Sequence, residues 1–538
     1  MAAAFTRNNA WNNGGTLQGN ADLFWYAVGV GQMMTRDITD PKSWWYFGAI
    51  HGDGPEWAAI TPPPQVPPLP SPDLKGWSQC QHATWYFPPW HRGYLIALEN
   101  QVREDIVAQG GPSTWALPYW DYFGTNPANQ FNIPPAFTQQ NFPSTGLPAN
   151  APAGIAGSPN PLFVADRYGP NGDGNIFVPT DAGIAANPQD PQSDFQFGAV
   201  TLDCMSDTTY TNQFGGGQTG FAHFGSATGD LENNPHNLVH SYVGGQQGND
   251  PNGQPGIMGD PNMAGLDPIF YLHHGEIDRL WAIWVVTMNN ANPRQPSWLQ
   301  GPTTNGQSDF EMPKDGGWWV FSPGDVGDIT KLNYTYQDMS APAGFVTAAQ
   351  QISRRVAALR AAPAPAGAGG GPSVPPEVEL MGATQAAVAV KGSGARAAVR
   401  LDTGIRRKVA ASLTAASVQA PPDRVYLRLD NVVGTTGGVL SVYINLPEGD
   451  KPGQHPKLHA GSIGLFGLRQ ASTPEGKHGG KGMTFTLDIT KVIDQLHLSQ
   501  SFNLDTLNVN LVPNRYVPPS TPITVGRISI YRQGGTQR

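Results

Sequence analysis

The strongest constraint on this chain is its histidine pattern. Residues 82–99 read HATWYFPPWHRGYLIALE, and far downstream stand HNLVH from 236 and DPIFYLHHGEID from 267. Clusters so distant in sequence form one site only if the segments carrying them pack against each other. Neutral imidazole is a borderline-soft ligand, and a site built from histidines with almost no carboxylates turns away from magnesium, calcium and manganese. The layout is that of a paired metal site, with copper the leading candidate.

Local spacing gives each cluster a backbone. His236 and His240 are four apart, which on a helix puts both rings on one face. Asp267 and Pro268 read as N-cap and first helical residue of an apolar run. His274 then faces inward with Phe270 and lies one turn before Asp278, while His273 points about 100° away around the helix. Pro88 and Pro89 stop one helix from carrying both His82 and His91, so His82 belongs to a preceding loop and His91 to the start of the next helix. His51 closes the aromatic run WWYFGAIH, which reads as helix.

With 538 residues the chain exceeds what one hydrophobic core usually organises. We expect a mainly α, helix-bundle catalytic domain with long loops over 1–340, an Ala/Pro/Gly-rich linker and connecting segment over 341–420, and an all-β sandwich or barrel over 421–538. The last rests on VYLRLDNV, VLSVYINLP, MTFTLDIT, LNVNLVP and ITVGRISIYR, all with period-two alternation. Only 14% of residues are charged and the net charge is −9, which gives no reason to expect a nucleic-acid partner. No apolar run has signal-peptide or membrane-spanning length, so the expectation is a cytoplasmic protein without a membrane partner, its oligomeric state left open.

His82-x4-Phe87-Pro88-Pro89-Trp90-His91-Arg92-x2-Leu95-x3-Glu99 and Asp267-Pro268-Ile269-Phe270-x3-His274-x3-Asp278 resemble the two copper signatures of tyrosinases and catechol oxidases, the type-3 copper proteins. The likeness covers roughly residues 20–340, including ALPYWDY at 116–122 and Tyr334-Thr335-Tyr336. It implies that His51, His82 and His91 hold one copper ion and His236, His240 and His274 a second, with His273 outside the ligand set. Dioxygen would be the co-substrate and small phenols the substrates, hydroxylated ortho and oxidised to o-quinones. Cys80, two before His82, is similar to a cysteine that forms a thioether with the histidine ring in fungal relatives; the plain alternative is a buried free thiol. Glu232 and Asn237 resemble the pair that orients a water for phenol deprotonation, and Glu232 also suits the positive end of a helix dipole.

Two departures bear on substrate choice. Ser241 follows His240 where some bacterial relatives carry Arg, and Pro261 and Met263 of GDPNM stand where plant catechol oxidases place an aromatic residue, which implies a more open entrance. In relatives a C-terminal domain covers the copper cleft with an apolar side chain; the GSIGLFG turn at 461–467 offers Leu465 or Phe466 for that role. The competing readings are a catechol oxidase without hydroxylase activity and a haemocyanin-like oxygen carrier.

Overall fold

The computed structural model describes residues 5–123, 132–179, 198–217, 228–250, 253–342, 345, 347–360, 378–417, 421–474, 479–499, 501–503 and 505–534. Five helices build the N-terminal domain: α1 (Ala21–Met34), α2 (Trp44–His51), α3 (Phe87–Ala108), α4 (Leu238–Gly244) and α5 (Pro268–Ala282). Their ends follow local chemistry. The Asn20 side chain accepts from the backbone N–H groups of Asp22 and Leu23, Ser43 caps through Tyr46 N–H, and Asp267 accepts from Ile269 N–H ahead of Pro268. Pro88 and Pro89 occupy the first turn of α3, where a missing N–H costs nothing. Every residue of α5 is buried, so this helix is the axis of the domain. Short pieces follow it: α6 (Pro296–Leu299), hairpins β2–β3 (Thr303–Thr304, Gln307–Ser308) and β4–β5 (Phe310–Lys314, Gly317–Phe321), and α7 (Pro323–Val326).

One buried ion network ties this domain together. Strand β1 (Phe5–Arg7) pairs in parallel with β6 (Tyr334–Tyr336), which delivers Arg7 to the far end of α5. Arg7 donates to Glu99 at 2.7 Å and to Asp278 at 3.2 Å, Arg92 donates to Asp278 at 2.5 Å, and the hydroxyls of Tyr334 and Tyr336 donate to the same carboxylate. Burial alone would push the Asp278 carboxyl up, but Arg92, Arg7 and the two hydroxyls hold it below the usual range. The signature residues Arg92, Glu99 and Asp278 thus lock α3 to α5 and set the spacing of the histidines that these helices carry.

The C-terminal domain is a sandwich. Helix α8 (Ala348–Arg360) leads into strands β7 (Val378–Ala383), β8 (Val388–Val390) and β9 (Ala395–Arg400), helix α9 (Thr403–Thr414), and strands β10 (Arg424–Val433), β11 (Val439–Ile444) and β12 (His459–Gly464). Helix α10 (Leu468–Ser472), β13 (Met483–Asp488), α11 (Thr490–Leu498), β14 (Thr506–Pro513) and β15 (Ile523–Gln533) complete it. One sheet has the order β13-β10-β15-β7 with β8 also on β15, the other β12-β11-β14-β9, and all pairs are antiparallel. The main apolar core among these sheets and helices includes the fully buried Leu427, Val442, Leu511 and Ile528, with a smaller cluster of Tyr443, Leu446 and Val512 beside it. The sequence expectation named no helices in this domain, yet α9 and α11 supply Val409, Leu413, Val492 and Ile493 to the core.

The segment 341–420 differs from its reading as linker and connection. It carries α8, β7, β8, β9 and α9, with β7 on β15 and β9 on β14, so the sheets begin near residue 378 rather than 421. Alanine and glycine dominate VELMGATQAAVAV and ARAAVR and give too little contrast between faces for alternation to stand out; long central strands impose the pairing. The Ala/Pro/Gly run at 362–376 lies outside the described residues. Among the described residues no helix is long and apolar enough to cross a membrane.

Two ionisable clusters yield predictions. Asp278→Asn takes the carboxylate from the buried Arg92 and one of the two from Arg7, which keeps Glu99, and we expect a loss of about 3–5 kcal/mol, read by chemical denaturation. Asp207 and Asp230 share a hydrogen bond against Arg424 and Tyr426 of β10 and Asp488 of β13, with Asp203 and Cys204 alongside. Burial raises both carboxyls above the ordinary range, with repulsion from Asp230 adding to it for Asp207 and repulsion from Asp488 and Asp203 for Asp230, which is pushed up to about 7. The packed domains therefore hold a proton that a solvated pair releases, so this seam loosens as pH rises from the ordinary carboxylate range through the raised one. The protection factors of β10 amides, with the intrinsic pH dependence of exchange divided out, should fall over that interval in the native chain and fall less in Asp230→Asn.

Candidate metal centre

Four helical segments and one loop meet at the site. His51 ends α2, His82 lies on the loop before α3, His91 is in the first turns of α3, and these three with Cys80 form one buried cluster. His240 sits on α4 and His274 on α5, while His236 sits on the π-helical stretch Glu232–Asn237 that runs into α4. These three with His273 form a second buried cluster. The two groups face each other: the rings of His91 and His274 stack at 4.2 Å and 11°, and those of His82 and His236 lie 5.7 Å apart. Phe87 and Phe270 pack between them, with Phe270 4.7 Å from His51 and 4.1 Å from His274.

Carbonyl groups decide which nitrogen looks inward. Nδ1 of His51 lies 2.9 Å from Pro261 O, Nδ1 of His91 2.8 Å from Phe87 O, and Nδ1 of His240 2.8 Å from Met258 O. A carbonyl only accepts, so each Nδ1 carries the hydrogen and each Nε2 offers its lone pair. Nδ1 of His236 meets Asn237 Oδ1 at 2.9 Å in the same manner. Burial and neighbouring imidazoles hold His236, His240, His273 and His274 well below the ordinary histidine range, so all four are neutral.

This arrangement fits a metal ion. Nε2 of His274 is 3.3 Å from Nε2 of His236 and 3.4 Å from Nε2 of His240. A tetrahedral ion holding imidazoles at about 2.0–2.1 Å sets its nitrogens about 3.3–3.4 Å apart. With the hydrogen of His274 on Nδ1, the three Nε2 lone pairs could share one cation. Tyr122 OH lies 3.3 Å from Nδ1 of His273, whose ring is turned toward that side of α5. Cys80 Sγ is 3.5 Å and 3.8 Å from the two nitrogens of His82, and thus faces the carbon between them; it is also 3.4 Å from His91 Nε2. Burial pushes its thiol up.

The remaining sequence candidates are distributed around the triads. Both Glu232 oxygens accept from Ala83 N–H, at 2.7 and 3.0 Å, and burial pushes this carboxyl up to about 8. Asn237 leaves its Nδ2 buried without a partner among the described residues. Ser241 Oγ donates to Asn237 O at 2.9 Å, and Pro261 touches His51 through its carbonyl. Met263 is buried in the N-terminal core. Leu465 belongs to the C-terminal core, whereas Phe466 enters the N-terminal one and stacks on His240 at 4.0 Å and 18°. Its ring also lies 5.5 Å from His82 and 5.8 Å from His236. Two glycines permit this approach: a Cβ on Gly464 would lie 2.6 Å from the Asn237 backbone, and Gly467 holds the left-handed φ of 79° that turns the chain after Phe466.

Comparison with known proteins agrees with this geometry. The family model for the common central domain of tyrosinase matches residues 41–287, and a model described only as a domain of unknown function matches 377–533. Tyrosinase HcTyr1 of Hahella sp. (strain CCB-MM4) is 32% identical over 95% of this chain and 97% of its own length. The chain belongs to the tyrosinase family of type-3 copper proteins. A haemocyanin G-type of Enteroctopus dofleini is 31% identical over 39% of the chain and 6% of its own length. In fold, the chain is similar to a latent apple tyrosinase, with TM-score 0.57, 18% identity and coverage of 99% and 97%. An Aspergillus oryzae pro-tyrosinase matches with TM-score 0.54, 15% identity and coverage of 99% and 93%.

Sequence reasoning missed the Met258 and Pro261 carbonyls, because backbone acceptors leave no trace in side-chain type. It also left Leu465 and Phe466 as alternatives. Both residues follow the end of β12 at Gly464, where the chain turns and sends Leu465 to the C-terminal core and Phe466 to the N-terminal one. The ligand set is tested by elemental analysis after metal loading. His274→Ala should lose about one ion per chain, and His273→Ala should keep both.

Proposed function

We propose that this chain is a copper-dependent phenol oxidase that ortho-hydroxylates monophenols and oxidises o-diphenols to o-quinones. The observation that carries the reading is the pair of facing triads, in which oxygen acceptors hold Nδ1 of His51, His91, His236 and His240. His51, His82 and His91 would hold one copper ion and His236, His240 and His274 the other. When bound, the copper pair supplies dioxygen activation and the electron sink for diphenol oxidation.

The protein's own contribution is to orient and to move protons. Stacking on His240, the position Phe466 takes in the full chain, lays an aromatic ring flat beside the second triad. A free phenol has a pKa near 10, so its proton needs an acceptor at neutral pH. Glu232, with a carboxyl raised to about 8 in the metal-free site, is closer to a match than an ordinary carboxylate. Asn237 presents its unpartnered Nδ2 beside His236, where it can hold a water between Glu232 and the ring. Phe466 occupies the substrate's place, so the full chain is a latent form. Cys80, facing the carbon between the His82 nitrogens, is placed for a thioether that would fix that ring.

A catechol oxidase without hydroxylase activity shares every feature except the proton relay, so Glu232 separates the two. Glu232→Gln keeps an acceptor for Ala83 N–H and removes the base. We expect phenol hydroxylation to fall roughly 100-fold with catechol oxidation within a few-fold of the parent, both followed by oxygen uptake. Equal loss of both activities contradicts the assignment, and catechol oxidation without any phenol hydroxylation in the parent selects the narrower enzyme. A copper-loaded chain that binds oxygen reversibly and turns over neither substrate, even with Phe466 removed, is a carrier.

A further inference from the structure

The covering segment makes a second contact that the aromatic plug does not require. Three residues beyond Phe466, Arg469 places its guanidinium on two carboxylates of the N-terminal domain, Asp260 and Glu56, the latter at 3.0 Å. Gln470 Nε2 donates to the other oxygen of Asp260 at 2.7 Å. Asp260 is 3% exposed, and it lies in the stretch whose carbonyls at Met258 and Pro261 hold one histidine from each triad. Glu56 is fixed in turn by Asn262 Nδ2 at 3.3 Å. The left-handed turn at Gly467 brings ring and cation down onto the same face of the N-terminal domain, the ring on His240 and the cation on the carboxylate pair.

We propose that Phe466 and Arg469 together imitate the substrate, so that the uncovered site selects phenols carrying an ammonium or guanidinium group on a flexible side arm. This rests on the phenol-oxidase reading above. The physical reason is the counter-ion: with Arg469 withdrawn, Asp260 and Glu56 are two adjacent carboxylates at the rim of an apolar cleft, and a substrate cation restores the pairing that each has lost. The net charge of −9 adds long-range attraction for such substrates and works against anionic ones. Recognition at this pair acts on binding, so it appears in KM while kcat stays with the ring over His240.

The test uses the full-length, copper-loaded chain in three forms: Phe466→Gly, Phe466→Gly with Arg469→Ala, and that double variant with Asp260→Asn. Each is assayed with dopamine, neutral 4-methylcatechol and anionic 3-(3,4-dihydroxyphenyl)propionate, which need no hydroxylation step. The double variant should raise kcat/KM for dopamine relative to 4-methylcatechol roughly tenfold over the single variant, through KM, about the worth of one charge-assisted hydrogen bond. The anionic catechol should move the opposite way, and Asp260→Asn should abolish the gain. Glu56→Gln replaces Asp260→Asn if the latter fails to fold. An identical charge preference in all three forms overturns the inference and leaves Arg469 a structural latch. If none of them oxidises 4-methylcatechol while holding two copper ions per chain, the oxidase reading itself falls, and this inference with it.

Discussion

The whole arrangement depends on keeping a set of imidazoles buried, neutral and pointed at one another. Burial disfavours the protonated form, and carbonyl groups fix the tautomer by claiming Nδ1 of His51, His91 and His240. Burying so many polar rings together costs solvation that the cluster does not return by itself. The scaffold must therefore hold it, and the Asp278 network does so at a distance. Arg7, Arg92, Tyr334 and Tyr336 converge on a carboxylate one helical turn beyond His274 and lock α3 against α5.

Much of this was legible in the sequence. The prolines at 88 and 89 separated His82 from His91, the Asp267-Pro268 pair marked the start of α5, and the Trp44–His51 run was read as a helix ending on its histidine. Strands rich in Val, Ile and Leu declared themselves through alternation. What remained hidden has physical causes. Strands β7 to β9 are too rich in alanine and glycine to contrast their faces, and they exist because β14 and β15 offer them edges. The sequence places Asp278 one turn beyond His274, but its partners come from residues 7, 92, 334 and 336, a convergence that only the tertiary fold creates.

The C-terminal domain changes what the site can do without adding to its ligands. Its strand β12 runs over the helix bearing His236 and His240, and the absence of a side chain at Gly464 lets the backbones approach. Phe466 then completes the apolar wall of the cleft, Arg469 and Gln470 grip Asp260, and Arg515 donates to Gln246 at 2.7 Å on the same seam. Phe466 and Val439 join the apolar core of the N-terminal domain, while each domain otherwise keeps its own apolar interior.

The most direct test of the central claim is an anomalous-difference map of the copper-loaded protein, collected at the copper edge. We predict two peaks in each chain roughly 3.5–4 Å apart, one ringed by His51, His82 and His91 and the other by His236, His240 and His274. A single peak, or one bound through the sulfur of Cys80 or the ring of His273, would contradict it.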